Sequence, residues 1–511
     1  MEIKLIHILG PVLATVAMLF YGRALVGRNK GRRVRVGPAL ILIVGAILFR
    51  QLTGDGTFLD RICLTLLDFG IALIIDSRYL AYHKSHPKVF WVPGLLALIL
   101  SFMLYFMASL MGWTVSGMFD GSGESDIQSG QVMIELGPDD NIEEVEAVLE
   151  EFEAKYKRAF PHIDLAESED LAQYYLVQLP EGRENAFLEA IRKDKENIDY
   201  ADLNYAVRLT LPETNTQGLT RPRAYLANDP GMVHQWWLRP ESTNAVHQLL
   251  RDNPPKRKAR VAIIDTGVDD GHEDLTDIVG TSPGLGDKHG HGTHCAGLAG
   301  AHTHNGKGIA SLNWEGRFVE ILSYKALNDK GHGDLWTVAG AITRAAEDGV
   351  DVISLSLGSN RALPPKMQVD AVNYALKLGV IVVAAAGNDG DDAAQHSPAN
   401  IEGVIAVGAV DKLGERARFS NWTTSLARPI AAPGVEIYAT MPEGKYDYMS
   451  GTSMATPLVA GLLGVLRAYQ PDLNAAAAWK LLHNHGRRTA GSTQVGTVID
   501  PEKTISALLS Q

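Results

Sequence analysis

Apolar positions crowd the start of the chain into four runs, 5–21, 36–49, 58–75 and 89–113, and the last has 25 residues without a charge. Such a run is enough to cross about 30 Å of hydrocarbon. The second run is short and bordered by Arg35 and Arg50, and the third carries Asp60, Arg61 and Asp68. Those charges need snorkelling or internal pairing. Residues 1–113 therefore read as a membrane region of about four helices, with three as the other count. The loop after the first run holds Arg23, Arg28, Lys30, Arg32, Arg33 and Arg35, and the loop after the third holds Arg78, Lys84 and Lys88. Basic loops stay on the cytoplasmic side, so everything beyond Trp113 is expected on the extracytoplasmic side.

After residue 113 the pattern changes. Residues 114–130, rich in Gly, Ser and Asp, read as a linker. Residues 131–136 alternate as a strand, and Ile142, Val145, Val148, Leu149, Phe152 and Tyr156 form a helical stripe. A strand over 171–179, a helix over 183–197 and a strand over 200–209 complete a small α+β, ferredoxin-like domain spanning 131–212. Its order is close to β-α-β-β-α-β, with a weak extra strand near 160–164. A polar linker, 213–227, follows. From 228 to 511 strands and helices alternate: 319–326, 350–356, 380–386 and 404–410 are continuous apolar runs, as in strands buried on both faces. Helical patterns at 335–348 and 369–378 separate them, and 473–485 and 501–509 read as closing helices. This is an α/β fold with a doubly wound parallel sheet.

Three stretches of this last domain carry chemistry. Ser453, in Gly451-Thr452-Ser453-Met454-Ala455-Thr456-Pro457, stands at the N-terminus of a long apolar helix, where backbone N–H groups stabilise developing negative charge. Asp265 follows the apolar strand 260–264, at the carboxyl end where open α/β sheets place their sites. His291 lies in His289-Gly290-His291-Gly292-Thr293-His294-Cys295, entering a helix of small residues. His291 would take the proton from Ser453, and Asp265 would hold and charge-balance the imidazole.

In the order Asp, His, Ser these motifs resemble the subtilisin-like serine peptidases, and Cys295 with 350–354 resembles the thermitase branch. The resemblance runs from about Asn228 to the C-terminus and includes Ser354-Leu355-Ser356-Leu357-Gly358 and Ala384-Ala385-Ala386-Gly387-Asn388. It implies a serine endopeptidase whose oxyanion donor is Asn388. The polypeptide substrate would lie extended between Ser356, Leu357, Gly358 and Ala385, Ala386, Gly387, pairing by main chain, with an apolar residue before the cleaved bond. It implies that 131–212 is a propeptide, a folding chaperone and inhibitor whose tail lies in the cleft. The full-length chain is then a tethered zymogen cut within the 213–227 linker. No cofactor is required for the chemistry. Structural calcium at Asp229, Asp274 and Asn305 is a further implication, weakened by His304 and Lys307 in the loop. The other reading of the same chain is a catalytically silent protease-fold binding or sensor module on a membrane anchor.

Charge and cysteine content narrow the partners. The net charge is −12, and residues 1–113 hold twelve Lys/Arg against five Asp/Glu, a net +7 that leaves −19 for the rest. So acidic an outer portion excludes nucleic acid as a partner, which leaves polypeptide substrates, the lipid bilayer and the chain's own propeptide. Cys63 and Cys295 are the only cysteines; Cys295 reads as a small core residue beside His291.

Overall fold

The computed structural model describes residues 127–213 and 224–510. The expected membrane runs, the 114–130 linker up to residue 126 and most of the 213–227 linker lie outside the described residues. Among the described residues no helix is long and apolar enough to cross a membrane.

The small domain is built from β1 (Ile127–Leu136), α1 (Glu146–Glu151), β2 (Lys155–Arg158), β3 (Tyr174–Gln178), α2 (Glu184–Ile191) and β4 (Ile198–Arg208). Its sheet runs β2-β3-β1-β4, antiparallel throughout. Strand alternation decides its packing. Val132 and Ile134 of β1 face α1 and α2 with Leu149, Phe187 and Ile191, whereas Met133 joins Phe160, Tyr174 and Leu176 on the opposite face. The extra strand is 155–158 rather than 160–164, because Glu153 turns the chain at φ 53°. The helical stripe therefore ends at Phe152, the helix C-cap, and Tyr156 lies on β2.

The larger domain opens with α3 (Pro240–Asp252), β5 (Ala259–Asp265) and α4 (His291–Gly300). It continues through β6 (Val319–Lys325), β7 (His332–Asp334), α5 (Leu335–Glu347), β8 (Val352–Leu355), β9 (Ser359–Asn360), α6 (Lys366–Lys377), β10 (Ile381–Ala385) and β11 (His396–Ser397). Then come β12 (Ile405–Val410), β13 (Pro429–Pro433), β14 (Ile437–Met441), β15 (Lys445–Met449), α7 (Thr452–Tyr469), α8 (Ala475–His485), β16 (Thr497–Val498) and α9 (Pro501–Leu509). Seven parallel strands lie in the order β16-β13-β12-β10-β8-β5-β6. Val261 and Ile263 pack toward α4 and α7; Ala262 and Ile264 pack toward α5 and α6. Both faces are covered, which is why these strands read as unbroken apolar runs.

The small domain's second apolar face rests on α5 and α6, so Met133, Phe160 and Leu176 share one core with Ala339, Ile342 and Ala371. Polar contacts fix the placement. The Tyr174 hydroxyl donates to Asp370 at 2.8 Å, and the Lys366 ammonium meets Glu135 at 2.7 Å and Asp370 at 3.0 Å. The Trp336 indole donates to the Ala159 carbonyl at 3.0 Å. β7 adds to the edge of the small sheet, Ala206–Arg208 of β4 pairing antiparallel with His332–Asp334.

Candidate active site

β5 ends on Asp265, and α4 begins with His291. Gly292 permits the contact between them: a Cβ there would collide with the Gly267 carbonyl oxygen, so only glycine lets the helix start press on the turn after the strand. Buried Asp287 ties the two together, accepting from the Thr266 and Thr293 hydroxyls and from the His289, Gly290 and Thr293 amides. Thr266 Oγ1 in turn accepts from Gly292 N–H at 3.0 Å.

This scaffold holds His291 Nδ1 at 2.8 and 2.9 Å from the two Asp265 oxygens, with both side chains buried. Complete burial pulls the imidazole down, but the Asp265 carboxylate outweighs it and holds His291 well above 6.5. Among the described residues the ring's Nε2 has no hydrogen-bond partner. Ser453, in the first turn of α7, donates its hydroxyl to the Ser356 carbonyl at 3.1 Å, and Ser356 Oγ donates to the Ser453 carbonyl at 2.8 Å. The Ser453 hydroxyl is thus engaged with the Ser356 carbonyl and not with His291 Nε2. Cys295 is buried, its sulfur 4.0 Å from His291 Nδ1.

Asn388 Oδ1 accepts from Thr452 N–H and Oγ1, both at 2.9 Å, which aims its amide nitrogen outward. That nitrogen donates to the Thr210 carbonyl at 2.7 Å. Thr210 belongs to the segment just after β4, and Leu209 N–H donates to the Gly331 carbonyl at 3.0 Å. The small domain's own tail, Arg208 to Thr210, thus forms one wall of a cavity of about 230 Å³ whose other walls include Ser356, Leu357, Gly358, Ala385, Gly387, Asn388 and Ser453. One expectation changes. Ala386 does not line the cleft; it is buried, its carbonyl accepting from Asn421 Nδ2. The extended segment also has a main-chain partner that the sequence did not suggest, β7. Sequence reasoning missed β7 because a strand of three half-exposed residues leaves no period-2 signal. It also missed Asp389, His396 and Arg361, which line the same cleft.

Asp229, Asp274 and Asn305 do come together, but their oxygens do not fit a calcium cage. Asp274 accepts from Asn305 Nδ2, Ile309 N–H and the Tyr446 hydroxyl; Asp229 accepts from His304 and Asn305 N–H; and Asn305 Oδ1 accepts from Lys307 N–H. Donors of the protein take the positions a cation would need.

Residues 256–498 match the model of the Subtilase family, Peptidase_S8. Over 213 residues the chain is 46% identical to a thermophilic serine proteinase of Bacillus sp. (strain AK1), covering 40% of this chain and 51% of that relative. It is 43% identical to thermitase of Thermoactinomyces vulgaris, covering 41% of this chain and 74% of thermitase. It thus spans about half the length of the first relative and three quarters of the second. The crystal structure of fervidolysin from Fervidobacterium pennivorans, a keratinolytic enzyme related to subtilisin, superposes with a TM-score of 0.61 at 23% identity, over 75% of this chain and 62% of that one; this likeness concerns the fold. With a thermitase identity of this size over most of thermitase's length, the chain belongs to the subtilase family of serine endopeptidases.

Proposed function

We propose that the chain is a membrane-anchored endopeptidase made as a tethered zymogen, with Ser453, His291 and Asp265 as its triad and Asn388 as its oxyanion donor. Ser453 Oγ attacks the peptide carbonyl while His291 Nε2 takes its proton. The tetrahedral oxyanion is stabilised by Asn388 Nδ2 and by the N-terminus of α7. His291 then gives the proton to the leaving amine, and water, deprotonated by the same ring, releases the acyl group. Asp265 keeps the proton on Nδ1 and balances the imidazolium.

The observation that carries this reading is the Thr210 carbonyl on Asn388 Nδ2, at 2.7 Å in the cleft that Ser453 lines. A peptide seated this way offers its Thr210–Leu211 bond to the serine, upstream of the 213–227 linker expected from sequence. The small domain then acts as propeptide: it occupies the cleft with its tail and is cut there first. Residues 1–113 would tether the zymogen to the bilayer, with the peptidase domain on the extracytoplasmic side.

A fluorophosphonate probe tests the assignment, because only an activated serine reacts. Labelling of the self-processed chain that is lost in Ser453→Ala and His291→Ala supports it. A folded, self-processed chain that takes no label would refute it.

A further inference from the structure

Upstream of the carbonyl that Asn388 holds, the tail of the small domain carries an aromatic ring that covers a cation of the larger domain. The Arg361 guanidinium carbon stands 3.4 Å from the centroid of the Tyr205 ring, the distance of a stacked cation–π contact. Arg361 and Thr210 line one cavity with Ser356, Asn388 and Ser453, so this contact belongs to the surface on which the tail is laid. Alternate residues of an extended chain share a side. Tyr205, Val207 and Leu209 accordingly pack on one apolar cluster with Leu335 and Leu357, while Ala206–Arg208 pair by main chain with β7. At roughly 3.3 Å per residue, the strand carries the ring about 17 Å from Thr210.

The wall that presents Arg361 is fixed independently of the tail. β9 ends at Asn360, which pairs with His396 of β11, and Asn400 Nδ2 donates to the Arg361 carbonyl at 2.9 Å and to the Ala394 carbonyl at 3.0 Å. None of these bonds involves the small domain, so they persist when the tail leaves, and Arg361 then faces the cleft uncovered. Among the described residues no carboxylate forms an ion pair with Arg361; the Tyr205 ring is its cover. The Tyr205 hydroxyl donates to Asp202 at 3.0 Å, so the contact with Arg361 is made by the ring.

We infer that Arg361 forms a distal subsite of the peptidase cleft, one that takes an aromatic side chain at the sixth residue before the cleaved bond, with Tyr205 as its first occupant. Stacking carries this selection, not charge. A planar, weakly hydrated guanidinium lies flat on an aromatic face, which a compact ammonium does not reproduce. The inference rests on the proposed peptidase reading and names a feature of the substrates of that site.

The test uses the self-processed chain with its active serines counted by fluorophosphonate, and peptides of its own residues 204–213 that carry Tyr, Leu or Glu at position 205. The Tyr peptide is expected to exceed the Leu peptide in kcat/KM by about 3- to 10-fold, through KM, because the contact lies far from the reacting bond. Arg361→Ala should bring the two peptides to about the same kcat/KM, and Arg361→Lys, which keeps the charge, should lose most of the preference as well. Three results overturn the inference while the peptidase reading stands. One is equal cleavage of the Tyr and Leu peptides by the labelled enzyme, or a preference that Arg361→Ala leaves intact. Another is a Glu peptide cleaved better than the Tyr peptide, which would make Arg361 an anion site. The third is a loss in Arg361→Ala as large on the peptide 207–213, which lacks the sixth residue, as on the Tyr peptide, since Arg361 would then shape the wall without touching substrate. Absence of both labelling and cleavage of every peptide sinks the reading and the inference together.

Discussion

His291 is subject to two opposed influences: burial lowers its proton affinity and Asp265 raises it, the second prevailing. The ring serves as a base only when neutral. With its pKa above 6.5, the acid limb of kcat/KM should therefore rise with pH through a midpoint above 6.5. Asp265→Asn removes the largest raising influence and leaves burial, so the limb should move to lower pH while turnover falls about 10⁴-fold. A pH–rate profile whose limb stays put in that variant would show that Asp265 does not act on His291. Single Ala replacements of Ser453 or His291 should cost about 10⁴- to 10⁶-fold, and the double change little more, because the two act as a unit. Loss equal to the product of the single effects would contradict the roles of nucleophile and base. These residues were legible in the sequence because each sits in a run of small residues whose spacing is local. The contact between Asn388 and Thr210 was not, since it joins positions 178 apart and depends on how two domains meet. Asp389 and His396 escaped for a related reason: one follows Asn388 and the other lies on a two-residue strand, and only packing under Gly387 brings them into the cleft.

Helices α5 and α6 are read easily from their amphipathic period, but the period does not say that the outer stripe of each receives a second domain. The Lys366–Glu135–Asp370 cluster lies at that junction. Glu135 is 3% exposed, and burial raises its pKa against the opposing pull of Lys366. Replacing Lys366 by Met leaves two carboxylates near each other beneath Tyr174 with no cation. Because Lys366 is itself 41% exposed, the loss is screened and amounts to about 1–3 kcal/mol. The expected result, in the uncleavable Ser453→Ala background, is about 5- to 100-fold faster nicking of the small domain by an added protease, since opening of the junction is what exposes it. Restoration of the charge as Lys366→Arg should recover most of the protection. Equal nicking of Met and wild-type chains would mean that the apolar contact of Met133, Phe160 and Leu176 with α5 and α6 holds the domain without help from the ions. The strand limits show the same division between what is local and what is not. β5, β6, β10 and β12 were each foreseen to within two residues because both faces are buried, whereas β2 was displaced by the turn at Glu153, which no periodicity announces.

At the scale of the whole molecule, the order of parts fixes what a single cut accomplishes. The apolar runs within 1–113 come first in the sequence, the small domain second and the subtilase-family domain last, so on the reading proposed above cleavage on the C-terminal side of Thr210 would divide the proposed anchor and inhibitor from the proposed enzyme. The tail is seated by the β4–β7 pairing on one side of that bond and by Asn388 at its carbonyl. On the proposed reading the first turnover is intramolecular, with an effective concentration that no external substrate matches. Cleavage does not by itself dislodge the small domain, whose apolar face remains packed on α5 and α6. Release should therefore lag behind the cut. A C-terminal epitope followed by immunoblot should appear first as a shortened band in the membrane fraction and later in the soluble fraction. The N-terminal residue of the shortened band should be Leu211. Ser453→Ala should give only the full-length membrane band, and Lys366→Met placed on the active chain should shorten the lag without altering the site of the cut. If the soluble form instead begins inside 214–227 and still appears in Ser453→Ala, another protease performs the cut. If the wild type stays full length, membrane-bound and fully active, the tail is an occupant that swings aside, and the tethered form is the working enzyme.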